Sequence, residues 1–184
     1  MSEAKNKDNF CGVIRTYHDK EKTKLKEEYF MMNGKKEGLN KEYYWSGQLF
    51  FKVNYINGKM DGLYKSFHEN GQLWKEVNYI DGKRNGIYKL YYRNGQLLSE
   101  ENYINNLMQG IYKSYNQNGQ LWCEVNYING KREGPFKSFH ENGQLWCEVN
   151  YINDLMQGIY KSYHDNGQLK EEVNYINGKI NGIK

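Results

Sequence analysis

The chain has 184 residues and a formal net charge of only +4, from 26 basic and 22 acidic residues. Charges so evenly matched argue against a dedicated nucleic-acid binder, which carries a one-sided basic patch. A composition rich in Gly (19) and Tyr (18), with one proline and Ala4 as the lone alanine, points away from helices and towards pleated surfaces.

In chain order, residues 1–11 read as a polar N-terminal tail. Met1 to Asn9 has no apolar run behind it, so no secretory signal is expected, and no stretch approaches the 18 apolar residues of a membrane span. Three cysteines without a signal suit a reducing, cytoplasmic compartment. From Gly12 a pattern begins. Gly12-Val13-Ile14-Arg15-Thr16-Tyr17, then Leu25 and Asn33-Gly34, form a degenerate first repeat over 12–37, its turn lengthened by two residues at Asp19 to Lys24. Such degeneracy suits a terminal cap.

Regular repeats fill 38–181. The glycine of Asn/Ser-Gly-Gln-Leu falls at Gly47, Gly71, Gly95, Gly119, Gly143 and Gly167, always 24 residues apart. A second column runs from Gly38 and Gly62 to Gly158 and Gly182. A third holds Gly34, Gly58, Gly82, Gly130 and Gly178, with Asn106 and Asp154 in two slots. The segment ending at Gly110, Ile-Asn-Asn-Leu-Met-Gln-Gly, returns nearly intact ending at Gly158, which suggests duplication of a two-repeat unit. Residues 182–184 start one more repeat.

Each repeat reads as strand, turn, strand, turn. In the third, Leu63 to His68 and Leu73 to Ile80 are aromatic and β-branched runs, separated by Asn70-Gly71 and closed by Asp81-Gly82. Asn-Gly and Asp-Gly favour type I′ hairpin turns, whose central residues need positive φ. A two-residue turn at Asn70-Gly71 places Glu69 opposite Gln72, Phe67 opposite Trp74, and Lys65 opposite Glu76. The same rule pairs Lys89–Glu100, Lys113–Glu124, Lys137–Glu148 and Lys161–Glu172, and sets Lys41 against Lys52. Opposite charges facing across strands contribute about 0.2–1 kcal/mol each. A three-residue loop with a bulge is the alternative, which shifts the pairing by one. In the favoured register one face carries Tyr64, Leu73, Val77 and Tyr79, and the other Leu63, Phe67, Trp74, Ile80 and the Lys65–Glu76 pair. The expected fold is all-β: an elongated, twisted, largely single-layer antiparallel sheet of about seven 24-residue β-hairpin repeats. Each repeat would advance it roughly 9–10 Å.

These columns resemble the variant MORN repeat. They are Gly, a Tyr/Phe-Lys-x-Tyr/Phe run, Asn-Gly-Gln-Leu, Glu-Val-Asn-Tyr and Asn-Gly-Lys, and they cover Gly12 to Lys184. The resemblance implies hairpin sheets used as scaffolds, dimerisation devices or membrane-proximal modules. It also brings in bacterial antitoxin-labelled relatives and the arrays of giant viruses. Glu76-Val77-Asn78-Tyr79 replaces the Tyr-x-Gly-x-Trp of ordinary MORN repeats, which weakens a phosphoinositide-binding reading.

Nothing in the sequence assembles a catalytic set. His18, His68, His140 and His164 share one column with Tyr44, Tyr92 and Asn116, as repeat-surface residues rather than a singular catalytic base. Cys123 and Cys147 share a column with Lys75, Ser99 and Glu171, with no Cys-x-x-Cys, so zinc is not expected. Glu100-Glu101 and Glu171-Glu172 are strand neighbours pointing to opposite faces and make no acid–base pair. Neither a phosphate-cradling loop nor a serine nucleophile occurs, and no cofactor is expected. The reading is a non-enzymatic scaffold that binds another protein, with an antitoxin-like inhibitor, a peripheral membrane module or a virus-particle protein as alternatives. The candidate partner-binding stripe is Phe67, Trp74, Tyr91, Tyr115, Trp122, Phe139, Trp146 and Tyr163, since Trp and Tyr favour interfaces. Its bland counterpart is intramolecular ring stacking. A sheet edge at Leu169, Glu171, Val173 and Tyr175 is the candidate for self-association or strand addition.

Overall fold

The computed structural model describes residues 10–182. Seventeen strands and no helix are found among them. The chain divides into two compact units, residues 1–85 and 86–184. The first contains β1 (Cys11–Tyr17), β2 (Leu25–Met32), β3 (Lys35–Tyr43), β4 (Leu49–Ile56), β5 (Lys59–Met60), β6 (Gly62–Phe67) and β7 (Leu73–Ile80). The division falls inside β8 (Lys83–Tyr91). Beyond it come β9 (Leu97–Ile104), β10 (Leu107–Met108), β11 (Gly110–Tyr115), β12 (Leu121–Ile128) and β13 (Lys131–Phe139). The second unit closes with β14 (Leu145–Ile152), β15 (Leu155–Tyr163), β16 (Leu169–Ile176) and β17 (Lys179–Ile180). Within each unit the strands form an antiparallel meander in sequence order. The N-terminal tail up to Asn9 and the end of the truncated last repeat, Ile183-Lys184, lie outside the described residues.

The two turns of a repeat differ in conformation. The second is the expected two-residue type I′ turn. Asn57 and Gly58 have φ of +52° and +82°, and Asn129 and Gly130 of +51° and +80°. The first is not. At Asn70-Gly71 only the glycine is left-handed (φ +84°). Gly71 N–H donates to the His68 carbonyl and His68 N–H to the Gln72 carbonyl, both at 2.8 Å, which encloses a three-residue loop, Glu69-Asn70-Gly71. That is a type I turn followed by a left-handed glycine. The asparagine serves it through its side chain, since Asn70 Oδ1 accepts from Gln72 N–H at 3.1 Å.

The register is corrected accordingly. Phe67 faces Leu73, not Trp74, while Ser66 faces Lys75 and Lys65 faces Glu76. Trp74 is therefore an extra residue, a β-bulge. The loop shifts the pairing one step and the bulge shifts it back, so the charge ladder stands as read from sequence. Lys65–Glu76, Lys89–Glu100 and Lys161–Glu172 are ion pairs at 3.3, 3.2 and 3.5 Å. Lys113 faces Glu124, Lys137 faces Glu148, and Lys41 faces Lys52.

The core is one face of the sheet. Val53 and Val77 have no exposure, and Tyr64, Ser66, Cys123, Val125, Ser138, Cys147, Val149 and Tyr151 are buried. The second glycine column makes this possible. Gly62 faces Tyr79, so the ring finds no opposing side chain and swings over to meet Tyr64 edge-on at 6.1 Å. The contact recurs as Tyr112–Tyr127, Phe136–Tyr151 and Tyr160–Tyr175 at 6.1–6.3 Å. Such pairs are worth about 0.5–1.5 kcal/mol each beyond the area they bury. Small residues lie between these rings. Ser114, Cys123, Ser138, Cys147 and Ser162 follow one another across paired strands. The serine hydroxyls lie 3.0 Å from the thiols, as Ser114–Cys123 and Ser138–Cys147.

Candidate interaction surface

Bulges bend strands and increase their twist. With bulges on both strands of each hairpin, one face closes over its own side chains and the other is left open. The open face presents apolar rows at one-repeat intervals. Leu63, Ile87, Ile111 and Ile159 are 51–59% exposed, and Ile80, Ile104, Ile128 and Ile152 are 44–52% exposed. The column of Leu39, Leu63, Ile87, Ile111 and Ile159 was missed as a site in the sequence. It alternates in parity with the buried Tyr64 row, and that parity is the signal that could have found it.

The candidate stripe is split by the structure. Trp74, Trp122 and Trp146 occupy the bulge position and are 37–48% exposed. Phe67, Tyr91, Tyr115, Phe139 and Tyr163 are half-buried. In the first unit the stacking alternative is realised, with Trp74 stacked on Phe50 at 6.3 Å and tilted against His68 at 5.8 Å. Tyr163 turns its hydroxyl to Glu148 at 3.0 Å. In the second unit a groove of about 350 Å³ is lined by Ile111, Glu124, Asn126, Pro135 and Lys137. A smaller one of about 190 Å³ follows one repeat on, bounded by Pro135, Glu148, Asn150, Ile159 and Lys161.

The histidine column has a use that sequence did not reveal. His18 Nε2 lies 2.9 Å from the Tyr43 carbonyl and His140 Nε2 3.0 Å from that of Tyr163. Tyr44 and Tyr92 reach the carbonyls of Phe67 and Tyr115 through their hydroxyls, at 2.9 and 2.8 Å. His18, Tyr44, Tyr92 and His140 therefore clip one repeat to the next from half-buried positions, while His164 is exposed. Asn116 is too short for this, and its amide Nδ2 is buried without a partner. The second turns are clipped too. Glu37, Gln109, Glu133 and Gln157 side chains accept from the N–H of Asn57, Asn129, Asn153 and Asn177 at 2.8–3.0 Å.

Other chemistry is sparse. Burial pushes the Cys123 thiol up, away from the reactive thiolate, and raises the Tyr64 hydroxyl as well. Lys75 is lowered by burial and by the neighbouring Arg84, and its ammonium sits 4.7 Å over the Tyr64 ring. Among the described residues no cluster of three or more His, Cys, Asp or Glu could hold a metal ion, and no helix is long and apolar enough to cross a membrane.

Fold and surface together define a β-hairpin repeat protein with one closed and one open face. The family model for the MORN repeat variant matches six times in tandem, over residues 36–57, 60–81, 84–105, 108–129, 132–153 and 156–177. The chain belongs to that family. MORN repeats are in general modules that engage proteins or membrane surfaces, of a non-enzymatic scaffold kind. No curated protein matches the chain. Among solved structures, one described as the crystal structure of TarM aligns at 11% identity and a TM-score of 0.34, over 52% of this chain. The alignment spans 19% of that protein's length and is too loose to bear on function.

Proposed function

We propose that the chain is a non-enzymatic scaffold that binds another protein through its open face. The observation that carries this reading is the exposed apolar residues of the second unit, Ile87, Ile111 and Ile159 with Ile104, Ile128 and Ile152, beside Trp122 and Trp146 at the bulges. Contiguous apolar surface rimmed by charge marks interaction sites. Phe67, Tyr91, Tyr115, Phe139 and Tyr163, half-buried, offer the partner less surface than the tryptophans do. An inhibitor of a partner protein would use the same surface. A membrane reading is less well supported, because Lys65, Lys89 and Lys161 are already paired with glutamates and offer little net charge to anionic lipid.

The test is to capture partners from native cells with the wild-type chain and with a Trp122→Ser/Trp146→Ser variant. Both tryptophans are exposed, so thermal stability should change little. Loss of specifically captured proteins supports the reading, and an unchanged set overturns it.

The edge strand supports a second reading, self-association. Six of the eight residues of β16 are exposed, including Leu169 and Glu171, with Val173 and Tyr175 half-buried. Among the described residues its outer side is paired in register only at Tyr175 and Ile176. The Asn174 carbonyl faces outward, to Asn181 N–H, so Val173 N–H points into the β15 pairing and Glu172 N–H points out. Glu172→Pro would remove that outward donor and should lower any association seen by light scattering.

A further inference from the structure

We propose that the open face of the second unit holds an uncharged, proline-rich segment of the partner, in polyproline II conformation and laid across consecutive repeats. The proposal rests on the reading of this face as a protein-binding surface and adds the partner's chemistry. Three grooves follow one another there, of about 350, 190 and 440 Å³. They are one groove cut three times. Ile111 and Pro135 wall the first, Pro135 and Ile159 the second, and Ile159 the third. Asn126, Asn150 and Asn174, at the same 24-residue interval, line them in turn. Glu124, Glu148 and Glu172 do likewise, each facing a lysine on the paired strand. Glu133, also at the first groove, accepts from the Asn153 N–H at 2.9 Å.

A ligand that uses consecutive grooves must repeat as they do. Two strands per repeat, about 4.8 Å apart, set a step of about 9.6 Å. A polyproline II helix has three residues per turn and rises about 3.1 Å per residue, so every third side chain returns to one side after about 9.3 Å. An extended strand misses the step, because its side chains return to one side every ~6.6 Å. An α-helix comes near it, at about 10.5 Å over seven residues, but bonds its own backbone groups internally. A polyproline II backbone bonds none of its own and offers a free carbonyl at each turn. The asparagine column supplies one amide donor per groove to meet it. Charge selects the composition. Each glutamate of the ladder faces a lysine, Lys113, Lys137 or Lys161, so the electrostatic complement of the ladder is an uncharged segment. Prolines also hold that segment in its bound conformation beforehand, which lowers the cost of ordering it.

The test is calorimetric titration of the full chain with two synthetic peptides of identical composition, capped at both ends to remove terminal charge. One repeats Leu-Pro-Pro three times, and the other gathers its leucines at one end. The periodic peptide should bind at least about tenfold more tightly, the effect of losing one seated leucine. Ile111→Ser/Ile159→Ser should weaken it by a similar factor with little change in thermal midpoint, since both side chains are more than half exposed. Equal affinities, no binding of the periodic peptide, or tighter binding of an uncharged helical peptide with leucine at every seventh position overturn the proposal. In the capture experiment, excess periodic peptide should release the proteins held through Trp122 and Trp146. Proteins captured but not released overturn this proposal alone and leave the protein-binding reading standing. Failure of both capture and peptide binding overturns both.

Discussion

The same dipeptide closes both ends of a repeat, yet Asn118-Gly119 and Asn129-Gly130, eleven residues apart, fold differently. At the first, only Gly119 is left-handed, and Asn118 works through its side chain, which accepts from Gln120 N–H at 3.0 Å. At the second, Asn129 itself is left-handed at φ +51°, and its N–H is held by Gln109 at 3.0 Å. The contrast shows that a turn dipeptide permits a conformation without choosing it. The choice is made by what the neighbouring repeat offers and by how many residues the strands leave in the loop.

The largest effect expected from breaking this contrast is at Asn129. Asn129→Val forces a β-branched residue into the left-handed region and should cost about 2 kcal/mol. The same change at Asn118 removes two exposed side-chain hydrogen bonds to Gln120 and should cost about 1 kcal/mol. Denaturant unfolding of both variants measures the gap, and equal losses would refute the assignment of the two turns. Next is Asn116, whose amide is buried and unpaired at a position where histidine or tyrosine reaches the next repeat. Asn116→His should reach the Phe139 carbonyl and gain about 1 kcal/mol, read as a raised thermal midpoint. No gain would mean that the clip contributes nothing.

The smallest effect is one of pH. Asp154 stands where most second turns have glycine, at φ +69°. Hydrogen bonds from Arg132, backbone first and side chain second, hold its carboxyl below the usual range. A depressed folded value means that the contribution is complete above the unfolded carboxylate range and is lost as pH falls through the lower folded value. The thermal midpoint of wild type should therefore drop slightly more than that of Asp154→Asn on acidification into that window. Parallel curves would show the contact to be idle.

Much of this was legible in the sequence. The 24-residue glycine columns delimit the hairpins, and the Lys65–Glu76 spacing is that of directly facing residues. The parity that separates Tyr64 and Val77 from Leu63 and Ile80 is the parity of buried and open faces. Trp74 was less legible, because a bulge is a count of residues on one strand against those on its partner, and no local pattern encodes it. The facing of Lys65 and Glu76 was reached correctly through a turn that the structure replaces, since two one-residue shifts cancel. The histidine column was opaque for another reason. Its partners are backbone carbonyls 23 or 25 residues away, which carry no side-chain signature.

That distance has a consequence for how such chains are made. Every clip described, whether from the histidine column or from the second turns, joins residues 20 to 25 apart. Contact order then stays low however many repeats are appended, so a longer array need not fold more slowly, in contrast to ordinary all-β domains. A gene that gained or lost 72 nucleotides in frame, one 24-residue unit, would present the same junction on both sides of the change. The near-identical segments ending at Gly110 and Gly158, 48 residues apart, fit the copying of two such units together. In a protein of this kind length is a variable that recombination can adjust, and the number of exposed apolar positions changes with it.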